Sequence, residues 1–245
     1  MVLNFYGEKM KRIFLTLLII VSSAITAQAK NGGTTDGAFT TLMLSATNVD
    51  KYVETLKSNT AAFKATGATD AGVCITRSGN EYDGQMMVWS AFTSVQAALE
   101  GSLKYDPQQA PPTFARLRDA KYGVTWKPLK PFRLDPGYER VQRVIVQGNK
   151  LQDFVAAMTA FEEAVIDAGN DFFVGIFVPL GGGSHEAKTL MVRAITPDAS
   201  SHGKIFDDYF DGKAPWASEW AALQAIGYEV ISDNFEECEQ TYSAN

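Results

Sequence analysis

FTTLMLSATNVDKYVETLKSNTAAFKATGATDAGVCIT (residues 39–76) and RVQRVIVQGNKLQDFVAAMTAFEEAVIDAGNDFFVGIFV (residues 140–178) are two versions of one pattern. In the first, Phe39 to Ala46 reads as a strand. Val49, Tyr52, Val53, Leu56 and Phe63 then recur at helical spacing as far as Thr66, which gives a helix one apolar face, and Gly67 closes it. In the second, Arg140 to Gln147 reads as a strand, and Leu151, Phe154, Val155, Met158 and Val165 repeat the stripe up to Gly169. An aspartate follows each glycine closely, Asp70 and Asp171, and leads into an apolar strand, Ala71 to Thr76 or Phe172 to Val178.

The correspondence continues outward. Polar turns, Ser78-Gly79-Asn80 and Gly181-Gly182-Gly183-Ser184, predict hairpins into third strands that share Met-Val, at Met87-Val88 and Met191-Val192. Thr93 and Thr196 are placed to cap second helices, which carry Val95, Ala98 and Leu99 in one copy and Ile205, Phe206, Tyr209 and Phe210 in the other. Each copy ends with a short helical stretch, Phe114 to Ala120 or Trp216 to Ile226, and a tyrosine-led strand, Tyr122 to Trp126 or Tyr228 to Ile231. Three prolines, Pro128, Pro131 and Pro136, mark the linker, so the expected units are 38–132 and 133–245.

This order is that of the ferredoxin-like split βαβ unit with an extra helical turn before the last strand. Such a sheet carries helices on one face and needs a cover on the other, and two of them can cover each other. On this element order and these matched stripes, residues 38 to 239 resemble the dimeric α/β-barrel superfamily, with both units on one chain. The resulting expectation is an α+β fold of two tandem ferredoxin-like βαββαβ units packed sheet to sheet as a pseudo-dimeric α/β barrel. The resemblance also implies a small pocket within a unit. Members of the superfamily include cofactor-free monooxygenases, haem proteins, lyases and binding modules, so the fold does not choose an activity.

Residues 1–29 read as a signal peptide: Lys9, Lys11 and Arg12 precede the apolar run Ile13 to Val21, and Ala27-Gln28-Ala29 follows. Met10 is an alternative start to Met1. The apolar run is too short for a comfortable membrane span, and none follows it. The expected product is a periplasmic or secreted protein with a flexible N-terminus at 30–37. Its formal net charge of −6 grows more negative when the basic leader is removed, which argues against nucleic acid as a partner. Cys74 and Cys238 either form a disulfide or stand as a buried strand thiol and an exposed one. No C-x-x-C is present to support a thiolate metal site.

Residues that could carry chemistry are few. His185 and His202 lack metal-ligand partners at helix or strand spacing; His185-Glu186 reads as a solvated turn and His202 as a surface position early in a helix. A haem-binding version of the fold would want an axial histidine on the helical side, and only His202 falls in a helix. The three glycines before Ser184 lead into a strand rather than a helix, so they form a turn and not a phosphate cradle. After the shared Met-Val, Trp89 in one copy falls opposite Arg193 in the other. If that position faces the barrel interior, Arg193 needs an anion, from a protein carboxylate or an acidic ligand; otherwise it is a rim arginine. Trp89, Tyr122 and Trp126 either line an apolar pocket or pack the core. No catalytic set, metal or cofactor requirement emerges. The first reading is an exported protein that binds a small apolar or weakly acidic molecule through Trp89, Tyr122, Trp126 and Arg193. The alternatives are a cofactor-independent monooxygenase acting on a small aromatic substrate and a protein-interaction scaffold.

Overall fold

The computed structural model describes residues 30–244; the targeting segment read at 1–29 lies outside them. In chain order the first unit comprises β1 (Ala38–Ala46), α1 (Val49–Ser58), α2 (Ala61–Thr66), β2 (Asp70–Ser78), β3 (Gln85–Phe92), α3 (Val95–Ser102), α4 (Pro112–Ala115) and β4 (Arg118–Pro128). The second comprises β5 (Tyr138–Ile145), α5 (Leu151–Asp167), β6 (Phe173–Gly181), β7 (Leu190–Thr196), α6 (Ala199–Phe210), α7 (Ala217–Ile226) and β8 (Glu229–Ser243). The two runs, β-α-α-β-β-α-α-β and β-α-β-β-α-α-β, have the same strand order, β4-β1-β3-β2 and β8-β5-β7-β6.

The sheets do more than face one another. β2 pairs with β8 and β4 with β6, so all eight strands form one closed antiparallel barrel. Closure leaves no edge strand with unpaired backbone groups. The long seams explain why the terminal strands exceed the apolar runs that predicted them. β8 continues from Tyr228–Ile231 through a polar stretch to Ser243 because its first part pairs with β5 and its last part with β2. A strand held on both sides by backbone hydrogen bonds needs no apolar alternation of its own.

Alternation nevertheless sorts the other strands. Leu44, Val73, Met86 and Val88 face α1, α2 and α3 in one helix-side core with Tyr52, Leu56 and Phe63. Val144, Val174, Ile176 and Val192 face α5, α6 and α7 in the other, with Phe154, Phe161 and Trp216. The opposite faces meet in the lumen, where Met43, Cys74, Met87, Trp89 and Cys238 form one cluster and Val124, Trp126, Val141, Phe177 and Met191 another.

Three local details differ from the sequence reading. The single helix expected over 49–66 is two, because Ser58-Asn59-Thr60 supplies side chains that compete for backbone groups, and Asn59 Oδ1 accepts from the Ala61 amide. The second helices are capped by Ser94 and Asp198 rather than Thr93 and Thr196: Ser94 Oγ accepts from Ala97 N at 3.0 Å and Asp198 Oδ1 from Ser201 N at 2.7 Å. The stretch 30–37, expected to be flexible, is tied to the linker. Thr34 and Phe132 exchange backbone hydrogen bonds, Lys127 Nζ donates to the carbonyls of Thr35 and Gly37, and Asn31 Nδ2 donates to the buried Glu162 at 2.6 Å. Glu162 is also paired with buried Lys130, so the strap is fastened to an ion pair that burial would otherwise make costly.

Candidate functional site

The lumen is where the two units differ most. β3 and β7 run through equivalent places in their sheets, and Trp89 and Arg193 occupy the same position on them, each facing inward. Each stands opposite a glycine: Gly72 pairs with Trp89 and Gly175 with Arg193. A Cβ on Gly72 would lie 2.1 Å from the Glu239 carbonyl and 2.5 Å from the Trp89 ring, so the indole lies across a strand that has room only for hydrogen.

Arg193 is buried and crosses the lumen. Its Nε donates to Glu139 of β5, and its Nη2 donates to Glu236 of β8 at 2.9 Å. Nη2 also lies 3.4 Å from Cys74 Sγ and 3.3 Å from Cys238 Sγ, while Nη1 points to the thioethers of Met87 and Met191, at 3.9 and 3.7 Å. Both carboxylates are buried, so one cation faces two acids. Burial pushes the Glu139 carboxyl up to about 6, with Arg193 pulling the other way. The protein's own carboxylates thus supply Arg193 with anionic partners inside the lumen.

Cys74 and Cys238 face each other in the β2–β8 register and are bonded, with an S–S distance of 2.07 Å. The disulfide joins the two units across a barrel seam. Cys74, Cys238 and Glu236 lie close enough to share a metal ion, but sulfurs bonded to each other offer no thiolates.

Arg193, Glu139, Cys74 and Cys238 line a cavity of about 40 Å³ together with Phe39, Trp89, Phe132 and Ile195. Phe39, Phe132 and Leu134 also line an open groove of about 330 Å³ between the strap and the barrel end, where Gly32, Gly33 and Asp36 form the other wall. The inner space holds a few heavy atoms, and the groove lies beside it across the shared Phe39, Phe132 and Leu134.

Tyr122 and Trp126 lie elsewhere in the lumen. Trp126 is fully buried and donates Nε1–H to Thr41 Oγ1 at 2.9 Å, while the Arg143 guanidinium sits 5.1 Å from its ring. Arg143 grips Glu186 through two hydrogen bonds of 2.8 and 3.0 Å, and Tyr122 Oη donates to the same carboxylate at 3.0 Å. The His185 ring stacks on Tyr122, with centroids 4.1 Å apart. Burial and Glu186 together raise the Tyr122 phenol, which stays protonated and donates. The glycine turn is therefore solvated only in part: Gly181, Gly182 and Gly183 take positive φ, and Glu186 folds inward to hold Arg143. Tyr122, Arg143 and Glu186 bond to one another, and with Trp126 they fill this part of the lumen.

His202 is a correction to the sequence reading. It is buried, with Nδ1 3.1 Å from Thr196 Oγ1 and its ring packed by Tyr138, Phe206 and Phe235. Burial, reinforced by Arg140, lowers its pKa to about 4. Neither cavity is lined by it, and its ring faces are taken by aromatic neighbours, so it does not fit the part of a haem ligand.

Glu139, Glu236, Arg143 and Glu186 were not singled out from the sequence. Alternation offered a signal for two of them, since Glu139, Val141 and Arg143 share one face of β5, and that face lies in the lumen.

No protein-family model matches the chain, and no curated protein sequence does. Solved structures do match it in fold. A "putative monooxygenase from Lactobacillus acidophilus NCFM" superposes with a TM-score of 0.55 at 11% identity, covering 86% of this chain and 96% of that one. A "putative chlorite dismutase" superposes with a TM-score of 0.52 at 10% identity, covering 85% and 96%. The fold is thus the dimeric α/β barrel built from ferredoxin-like units. Its particular form here is a pseudo-dimer carried on a single chain, closed along two hydrogen-bonded seams and bolted by Cys74–Cys238 across one of them.

Proposed function

We propose that this chain is an exported binding protein whose barrel lumen takes a small, largely apolar molecule with a hydrogen-bond donor turned toward Glu139. The observation that carries the reading is the lining that the two neighbouring spaces share. An inner cavity walled by Phe39, Trp89 and Ile195 has Glu139 and Arg193 at its polar end, and it shares Phe39, Phe132 and Leu134 with an open groove. That is the usual form of a small-molecule site, apolar walls with a few convergent polar groups. The charge balance refines the ligand. Arg193 already faces two carboxylates, so an acidic head group would add to an excess of buried negative charge, whereas a neutral or cationic donor is accommodated. Export is supported by the leader-like 1–29 and by a disulfide, a bond that persists in oxidising compartments. No helix among the described residues is long and apolar enough to cross a membrane.

Thermal unfolding against a panel of alcohols and amines of a few heavy atoms each tests this. At a ligand concentration a hundredfold above Kd the complex gains about 2.7 kcal/mol, which raises Tm by about 5–10 °C for a chain of this size. Ile195→Phe, which puts a ring into the inner cavity, should abolish the shift. A wild-type protein with no response to any member of the panel would sink the proposal. Oxygen uptake that accompanies binding and disappears in Ile195→Phe would turn the reading into a cofactor-independent oxygenase.

A further inference from the structure

We propose that the Cys74–Cys238 disulfide is a redox centre served from the lumen by small neutral thiols, and not only a bolt between the units. The idea rests on the lumen admitting a small molecule, as argued above. Both cysteines line the inner cavity beside Arg193 and Glu139, so the bond faces the space a ligand would occupy. One guanidinium nitrogen lies within 3.4 Å of both sulfurs. A disulfide sulfur is a weak acceptor and gains little from that donor, but a thiolate gains much, because a neighbouring cation stabilises the charged form. Glu139 and Glu236 share that cation, so the gain to a leaving thiolate is realised once Glu139 has taken a proton, whichever sulfur leaves.

The chemistry balances without a further reactant. A thiol RSH gives its proton to the Glu139 carboxylate, and its sulfur attacks one cysteine sulfur. The S–S bond breaks, a protein–S–S–R mixed disulfide forms, and the second cysteine leaves as a thiolate held by Arg193. A second RSH attacks the R-bearing sulfur, releases RSSR and frees the other cysteine, and the two thiol protons end on Cys74 and Cys238. Two RSH are oxidised to one RSSR while one disulfide is reduced to two thiols. A cavity of about 40 Å³ admits a thiol of a few heavy atoms and no tripeptide. The excess of buried carboxylate selects against thiols that carry negative charge.

The test follows opening of the bond in the folded mature protein under anaerobic conditions, with acid quenching, maleimide tagging and mass spectrometry. 2-Mercaptoethanol is the small neutral probe and glutathione the bulky anionic one. The expected result is a rate proportional to 2-mercaptoethanol concentration, at least about tenfold faster per mole than with glutathione and slowed about tenfold by Arg193→Met, with Arg193→Lys restoring most of it. Because Arg193→Met disturbs a buried network, Ile195→Phe is the second variant: it leaves Arg193 in place and should block 2-mercaptoethanol. A rate that is independent of thiol identity and concentration and equal to the global unfolding rate would overturn the proposal. If non-thiol ligands still raise Tm in that case, the redox reading alone fails; if they do not, the lumen itself is closed to ligands and both readings fall.

Discussion

Arg193→Met should destabilise the protein strongly, and more at pH 8 than at pH 5. In the wild type the guanidinium holds Glu139 and Glu236, all three side chains being buried. Methionine fills much the same volume but leaves two buried carboxylates without a cation. Breaking a buried ionic group from one side costs about 3–5 kcal/mol, which for a chain of this size lowers Tm by about 6–20 °C. The pH dependence follows from the sign of the shift. Even with Arg193 present, Glu139 is pushed up from 4.5 to about 6, so ionising it in the folded state is already unfavourable. Without the cation Glu139 moves further up. A folded-state pKa above the unfolded value gives stability that is full at low pH and lost as pH rises through the folded pKa, at up to about 1.4 kcal/mol per pH unit for Glu139. Urea unfolding at pH 5 and pH 8 measures this directly. Arg193→Met combined with Glu139→Gln and Glu236→Gln should recover most of the loss at pH 8, because neutral amides replace the stranded charges. An equal cost at both pH values, with no recovery in the triple variant, would show that the network is not what Arg193 stabilises.

Three further outcomes are expected. His202 should make the protein acid-sensitive: its pKa falls from 6.5 to about 4 on folding, so stability present above 6.5 is lost as pH drops toward 4, by about 3 kcal/mol, and Tm in a pH series should show that slope disappear in His202→Phe. Cys74→Ser with Cys238→Ser opens a covalent loop with a sequence separation of 164, for which the chain-entropy relation gives a loss of about 5 kcal/mol in urea unfolding. Gly72→Ala should destabilise more than Gly175→Ala under the same assay, because the added methyl meets backbone, the Glu239 carbonyl, in the first case but the movable rings of Phe177 and Phe132 in the second.

The fold was legible because helical stripes and strand order survive in both copies. Val49, Tyr52, Val53, Leu56 and Phe63 read as an apolar face, and all of them lie in or against the helix-side core. The seams were not legible. β8 pairs with β2 and β5 through Asp233 to Ser243, a polar run with no period-two signal, because its partners are set by backbone hydrogen bonds and its position between two sheets. The site was legible in half. The Met-Val alignment placed Trp89 against Arg193, which located the lumen position. Glu236 could not be found, since nothing in a Glu-Glu-Cys-Glu run says which carboxylate turns inward until the β8 register is known. Glu186 was hidden for a related reason: a turn of three glycines looks solvated, and only the fold shows one of its acids returning to Arg143. His202 was misplaced because the helix it opens carries polar neighbours, and its burial depends on Phe235 from the distant β8.

The single chain explains why the lumen can look as it does. In a barrel made of two identical subunits, any inward residue on the third strand appears twice about the twofold axis. An arginine there would place two guanidiniums in one small low-dielectric space, and a tryptophan would place two indoles there. Tandem units escape that constraint. Here the first unit contributes Trp89 over Gly72, and the second contributes Arg193 with carboxylates from β5 and β8. The asymmetry opens a space at one end, beside Arg193 and the disulfide, while the network of Tyr122, Arg143 and Glu186 fills another part of the same lumen. Restoring symmetry therefore probes whether this division matters. Trp89→Arg would add a second buried cation near Cys74 and Met87, with Glu139 and Glu236 already engaged. One buried carboxylate is already in excess over the single guanidinium, so the new cation needs no added anion, and small anions should raise the Tm of this variant no more than that of the wild type; a stabilisation by anions confined to the variant would show that Glu139 and Glu236 do not serve the second guanidinium.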